Sequence, residues 1–585
     1  MKEKAQKEAE KFLNKEKQFH LGVLPTEQSN PKTHNLDSTF NSNPSEGARM
    51  LLSVDWDVHK MAERVLLEQE YHTLVDTGVR AILEGKKIVL SGCGATGRLS
   101  ILLESMWRYY FKSLTVRHPK IYSKTRKFEN AVFSIMTGGD YALIRSVEHF
   151  EDYQEFGKQQ VREMQINAGD VLIAITEGGE TSSVLGTVIE SAERGALPFL
   201  VYNNPTDILC KYIDRSRIVI EDPRVTVIDL YCGPMAVAGS TRMQATTAEQ
   251  LIVGAALETI LSNIFIQVLS QDELSLLNIG KTNYSDLFKA LLIDLLAEKN
   301  LKTISELMLL ERSVYEEDGL VTYFANEFLL DIFTDTTERA PTFAIPPFKK
   351  LDDHTSPPSW AFVKNPTLTT NKAWDKVLGR VPRCLNWTRD LYYSMGALPA
   401  LADSPPQLDK SQLLKFRIGN EEDTTRLSKT HNAAISIVGN TDIESTEYNA
   451  YKSAFNHHAS EFQQKYRITI GNNQEDSDYK VTCALKPSLL NLMEHMAFKL
   501  VLNTVSTGTM TLMGRVTGNW MSWVEVSNKK LRDRGIRLIS EICGLNYQNS
   551  CYKLHETLEE LKATKLDSLS PVQYTIKKIK EGENV

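Results

Sequence analysis

Ile88–Arg98, IVLSGCGATGR, runs from apolar and β-branched residues straight into a glycine loop, and LSILLESMWRYYF follows at once from Leu99. That order predicts a buried strand, a tight turn and the start of a helix. Gly92, Gly94 and Gly97 can take backbone angles that side chains forbid and let a ligand approach the main chain. The N–H groups and dipole at a helix start attract an anion, usually a phosphate, and Ser91 and Thr96 add hydroxyls. A glycine turn that merely connects strand to helix is the plain alternative, but it needs fewer glycines and hydroxyls than these seven residues hold. The spacing also fits G-x-G-x-x-G, which would want an acid about 20 positions on, closing the second strand. The next strand pattern is Ala131–Met136, and its acid, Asp140, lies too far along. The Walker pattern is absent here.

Around this loop the chain alternates. Residues 47–85 are helical in pattern. Strands are expected at 88–90, 131–136, 171–176, 197–204 and 226–230, with helices between them and a long helix over Ala245–Leu269. Such alternation predicts a parallel sheet with helices on both faces and ligands at the carboxyl ends of its strands. The second half repeats the plan less cleanly. GLVTYFANEFLLDIF offers a strand and helix with no glycine loop, 433–440 and 467–471 read as strands, and helices are expected over 489–512 and 527–542. Residues 341–412, rich in Pro, Asp and Ser, read as long loops with short helices. The expected division is a polar segment 1–45, an α/β domain 46–280, a second α/β domain 281–545 without its phosphate loop, and a charged helical tail 546–585.

At 585 residues there is ample chain for about two to four domains. A net charge of −7 and the lack of a basic cluster argue against nucleic acid. No apolar run approaches a membrane span. The N-terminal MKEKAQKEAEKFLNKEKQF is charged and has no secretory h-region. Seven scattered cysteines form no C-x-x-C pair and no disulfide framework, so the expected location is cytoplasmic. His457, His458 and His495 lack partners at metal spacing, and neither a metal nor a cofactor is expected. The run DIFTDTTERAPTF at 331–343 could cap helices or line a cleft between domains.

TEQSNPKTHNLD at 26–37, SGCGATGR at 91–98, GGDYALIRSVEHFEDYQEFG at 138–157, GSTRM at 239–243, LNTVSTGTM at 502–510 and SNKKL at 527–531 occur in one order. Together they resemble the family joining the N-acetylmuramic acid 6-phosphate etherases to the glucokinase regulatory protein. The resemblance implies SIS (sugar isomerase) domains, flavodoxin-like parallel sheets that bind phosphosugars, and two in one chain match the layout of the regulatory protein. It implies that Gly92–Arg98 holds the sugar phosphate, with Thr96 as the hydroxyl residue and Ala95 in place of the family's threonine.

In TEGGETSS at 176–183, Thr176, Gly178, Thr181 and Ser183 are the expected contacts, with Glu177 and Glu180 turned aside or meeting sugar hydroxyls. Ser240 and Thr241 sit by another helix start, with Gln244 where the family has lysine, and Lys530 matches a lysine that reaches the sugar from the second domain. Glu151 aligns with one of the etherase's two catalytic glutamates, groups that serve as base and proton donor. The second falls at Met106, and Glu104 lies about 200° round the helix from it. Three readings result: a phosphosugar sensor, an etherase-like lyase or isomerase using Glu151, and an interaction protein whose partner is a sugar kinase.

Overall fold

The computed structural model describes residues 2–582 except 148, 473, 474, 525, 527 and 564–569. Two five-stranded sheets organise it, both wholly parallel. The first holds β1 (Ile88–Gly92), β2 (Val132–Met136), β3 (Val171–Ile175), β4 (Leu197–Tyr202) and β5 (Thr226–Asp229) in the order β2-β1-β3-β4-β5. The second holds β6 (Val321–Phe324), β7 (Ala361–Lys364), β8 (Ala433–Val438), β9 (Gln464–Gly471) and β10 (Tyr479–Thr482) in the order β7-β6-β8-β9-β10. Both are the same flavodoxin-like order, so the expected pair of α/β units of one plan is present. β1 and β3 are buried along their whole length, as strands covered on both faces must be, which explains their unbroken apolar runs.

Six helices border the site or join the two halves: α1 (Ala95–Arg117), α2 (Ser182–Glu193), α3 (Gln244–Val268), α4 (Leu329–Phe343), α5 (Leu492–Leu512) and α6 (Lys529–Cys543). β7 and β10 escape a reading by pattern because each is a four-residue edge strand, and β7 lies inside the stretch read as loops. The helix expected over 527–542 is α6; Ser527 itself lies outside the described residues. α3 corrects the expectation that no apolar run has membrane length: by length and composition alone it is long enough to cross a bilayer. It is instead a core helix, buried from Gln244 to Glu258 and carrying Gln244, Glu249 and Glu258 inside the protein. The terminal segments are helical and meet each other, Lys2–Lys15 lying along Tyr547–Ala563 with Lys4 paired to Glu559 at 3.2 Å.

Buried charges tie the two halves together. Arg242, just before α3, reaches Asp335 of α4 at 2.9 Å and the hydroxyls of Ser506 and Thr507 on α5. Arg98 of α1 faces Glu338 of α4 at 3.8 Å. Arg339, fully buried, pairs with Glu311 and Asp335. The 331–343 segment therefore lines the junction between the halves, the second of its two expected roles. Glu104 of α1 is met by Arg380 and Arg383 from the second half.

Candidate functional site

The three glycines of the loop do different work. A Cβ on Gly92 would lie 2.4 Å from the Thr96 backbone, and one on Gly97 would lie 2.8 Å from Met136 and 3.0 Å from the Gly92 carbonyl. Both let α1 start hard against the sheet. Gly94 has φ +57° and open space where its Cβ would be, so it is the glycine that faces outward. The first-turn N–H groups of α1, at Ala95, Thr96 and Gly97, have no acceptor within the helix. Thr96 Oγ1 accepts from the Cys93 N–H at 3.0 Å and donates to the Cys93 carbonyl at 2.9 Å, so its hydroxyl is engaged in holding the loop. Ser91 points sideways in β1, its hydroxyl 3.0 Å from that of Thr187. Thr96→Val is accordingly expected to cost roughly 0.5–2 kcal/mol of stability, as loss of a helix cap does. Melting and phosphosugar titration on one preparation check this, with affinity expected to change less than stability.

β3 and α2 bring the second loop alongside. The parallel register sets Ser91 opposite Ala174, which carries Thr176–Ser183 past the end of β3 beside Cys93 and Gly94. The Thr176 hydroxyl donates to that of Thr181 at 3.1 Å, and Ser183 meets Thr137 at 2.9 Å. The Gly178 carbonyl accepts from Asn204 at 3.0 Å. The start of α2 supplies a second set of N–H groups without intrahelical acceptors. Ser240 is buried ahead of α3, while Thr241 is partly exposed.

α6 closes the site from the far end of the chain. Asn528 uses both ends of its amide: Oδ1 caps α6 at Leu531 N–H, and Nδ2 donates to Glu151 Oε1 at 3.1 Å. Lys530 pairs with Glu180 at 2.7 Å, and Arg215 takes the other oxygen of Glu180 at 2.6 Å. The 26–37 motif is a strap behind this helix, with Glu27 buried between Arg534 and Arg537. Cys93, Gly94, Glu151, Glu177, Thr181, Thr241 and Lys530 are all partly exposed.

The carboxyls here divide sharply. Burial raises every one of them, but Lys530 and Arg215 outweigh it at Glu180 and hold that group down at about 2. Arg534 and Arg537 hold Glu27 at about 2 in the same way. Burial pushes Glu177 up to about 7, and Lys530, its own backbone N–H and the Thr241 hydroxyl offset that only in part. Glu151 is raised from the usual carboxylate range, chiefly by burial. Glu180 is thus turned aside onto cations, whereas Glu177 stays at the site. Sequence reasoning did not reach Asn528, Glu27, Arg534 or Glu338, whose roles depend on partners hundreds of residues away. The segments quoted at 26–37, 331–343 and 527–531 contain Glu27, Glu338 and Asn528 but give none of them a role.

The corresponding positions in the second half are filled from within. At the end of β6 and β8, the Glu327 and Gly439 N–H groups donate to Asp442 at 2.9 and 3.0 Å. Thr441 gives its N–H and hydroxyl to Glu494 at 3.1 and 2.7 Å. Internal carboxylates occupy donors that an external anion would use, which gives a physical form to the missing loop. A cleft of about 1550 Å³ opens on this side, lined by Tyr71, Tyr110, Glu258, Glu327, Lys376 and His495, away from the Gly92–Arg98 loop. Its walls carry no glycine loop, so size alone does not make it the anion site.

Residues 71–192 match the sequence profile described as the glucokinase regulatory protein N-terminal SIS domain. The chain is 29% identical over 233 residues to the N-acetylmuramic acid 6-phosphate etherase of Glaesserella parasuis, covering 40% of this chain and 67% of that protein. It is 26% identical over 307 residues to the enzyme of that name from Petrotoga mobilis, covering 51% and 85%. Among solved structures, the tagatose-6-phosphate ketose/aldose isomerase of Escherichia coli overlaps with a TM-score of 0.40 at 10% identity, over 81% of this chain and 94% of that one. The fold assignment rests on the strand order itself. The resemblance read from the motifs holds for the half that contains the glycine loop.

Proposed function

We propose that this SIS-type chain binds a phosphosugar at the carboxyl edge of its first sheet. The observation that carries this reading is the convergence of two helix starts, those of α1 and α2, with Lys530 delivered from the far end of the chain. Helix N–H groups and an ammonium are complementary to a phosphate, and the carboxyls of Glu151 and Glu177 suit sugar hydroxyls. The two named etherases, whose printed substrate is a sugar 6-phosphate, support the same ligand class. Gly92, Gly94, Thr96 and Gly97 shape the first loop, Thr176, Gly178, Thr181 and Ser183 the second, and Ser240 and Thr241 the third side. Because Lys530 belongs to the second half, ligand occupancy would alter a contact between halves, as a sensor requires. A sugar kinase is the partner this reading names, and the cytoplasm, where sugar phosphates are made and consumed, its compartment.

Thermal shift against fructose 6-phosphate, fructose 1-phosphate, glucosamine 6-phosphate and N-acetylmuramic acid 6-phosphate tests the reading. A ligand at a hundred times its Kd should add about 2.7 kcal/mol of stability. No shift with any of the four at millimolar concentration contradicts it.

A further inference from the structure

We propose that Trp387 is a positioning residue for Glu151: residues 380–398 of the second half clamp the segment that carries Glu151 and set how it meets the sugar. This rests on the phosphosugar reading above and makes the first-half site depend on the second half. Glu151 lies in the short turn Phe150–Asp152, between β2 and the helix Gln154–Glu163. His149, just before that turn, has φ +65°. A residue other than glycine keeps such a backbone only where its surroundings fix it. α2 of the first half packs against the turn. Residues 380–398, in the crossover between β7 and β8 and inside the stretch read as loops, grip the segment on both sides of it.

The grip begins just after β2. The Asp140 N–H donates to the Arg383 carbonyl at 3.0 Å, and the Arg383 N–H donates to the Asp140 carboxylate at 2.5 Å. A Cβ on Gly139 would lie 2.9 Å from the Leu385 side chain, so the two chains run hard against each other there. One residue before Glu151, the buried Phe150 ring lies 6° from parallel to the Trp387 indole, in an offset stack with centroids 5.8 Å apart. Tyr392 meets Phe150, Phe156 and Trp387 edge-on. Two residues after Glu151, the Tyr153 hydroxyl accepts from the Leu398 N–H at 3.3 Å, and its ring stacks on Phe156 at 4.5 Å. At the last residue of the following helix, Glu163 Oε1 accepts from Trp387 Nε1 at 2.7 Å.

Trp387 joins these points. Its N–H is tied to one end of the Gln154–Glu163 helix while its face lies on Phe150 before the other end, so one rigid ring fixes both. Asn528 of α6, also from the second half, holds the Glu151 carboxyl itself at 3.1 Å. The turn and the carboxyl it presents are thus both set by residues outside the first sheet's own half. The phosphate is assigned to the starts of α1 and α2 and to Lys530, so a loss at Trp387 falls on the sugar and spares the phosphate. By linkage, a sugar that engages Glu151 favours the docked 380–398 segment as much as that segment favours the sugar. A tryptophan that only filled the junction would lower stability and leave sugar recognition as it is.

The test is a double-mutant cycle on the full chain, read by calorimetric titration with fructose 6-phosphate, fructose 1-phosphate, glucosamine 6-phosphate, N-acetylmuramic acid 6-phosphate and inorganic phosphate. Trp387→Ala and Glu151→Gln should each weaken the sugar that binds by at least about tenfold, the loss of one hydrogen bond to a charged group. Inorganic phosphate should bind both variants within about twofold of wild type. In the Glu151→Gln background, Trp387→Ala should cost nothing further beyond about twofold, because it acts through the same carboxyl. Trp387→Phe, which keeps a ring against Phe150, should recover most of the affinity, and Trp387→Leu replaces the alanine variant if that one fails to fold. Additive losses in the double variant overturn the inference, as does an equal loss for inorganic phosphate. So does wild-type sugar affinity in a folded Trp387→Ala or Glu151→Gln protein, which leaves the binding reading standing. Absence of binding by all four sugars to wild type removes the binding reading, and this inference with it.

Discussion

Glu104→Gln is expected to destabilise the protein by about 3–5 kcal/mol, the cost of removing one partner from a buried ionic cluster, while leaving phosphosugar affinity unchanged. Glu104 has no solvent exposure and accepts from Arg108 at 2.9 Å, Arg383 at 2.7 Å, Arg380 at 3.0 Å and Ser134 at 2.6 Å. Asp140 shares Arg380 from the other side at 2.5 Å. A glutamine of the same size keeps two polar atoms but turns an amide toward three guanidinium groups and neutralises none of them. The arginines hold the Glu104 carboxyl down at about 2, below the usual carboxylate range. A depressed folded pKa means that the stabilisation is present above about 4.5 and is lost as pH falls toward 2. Denaturant melts across that window should show a steep acid limb in wild type and a shallower one in Glu104→Gln. A variant as stable as wild type would mean that the halves are held by other contacts.

The second large effect is on binding. Lys530→Met should weaken phosphosugar affinity at least about a hundredfold: a charge-assisted bond of roughly 1.5–3 kcal/mol is lost, and a cation no longer offsets the surrounding acids. Glu180 keeps Arg215, so the fold around the loop has a remaining anchor. Glu151 keeps the Asn528 amide and the weaker pull of Arg534, and both Glu151 and Glu177 lose the cation that now lowers their pKa most. Their carboxyls should titrate higher still, which shifts any pH dependence of binding upward. Titration of the variant beside wild type, with melting curves on the same samples, reads both effects. Affinity within a fewfold of wild type would place the phosphate away from α6.

How much of the fold and site is legible along the chain depends on the range of the interaction. The strand–loop–helix at 88–117 is local, so glycines, hydroxyls and apolar runs announce it. The division of labour among the glycines is not local. Gly92 and Gly97 are small because a helix and a methionine from β2 press on them, and only Gly94 opens outward. Thr96 looks like a phosphate donor in a motif and proves to be engaged with Cys93, because a hydroxyl in a helix's first turn finds the nearest backbone before it finds a ligand. Lys530 could be named only through the resemblance, since nothing in a lone lysine tells that it will cross to another half. Glu177 and Glu180 read alike in TEGGETSS. One became an ion-pair partner and the other a carboxyl titrating near neutrality because Lys530 and Arg215 both pair with Glu180 and neither pairs with Glu177. β7 and β10 escape for a plainer reason: four residues at a sheet edge carry too little pattern.

On this reading, one of two similar sheets kept an open anion site while the other filled its own with Asp442 and Glu494. Calorimetric titration with the sugar that gives the largest thermal shift counts such sites directly. One phosphosugar per chain is expected, with competition by inorganic phosphate and no measurable heat with Lys530→Met. Two equivalents per chain, or binding as strong for the sugar lacking its phosphate, would contradict it.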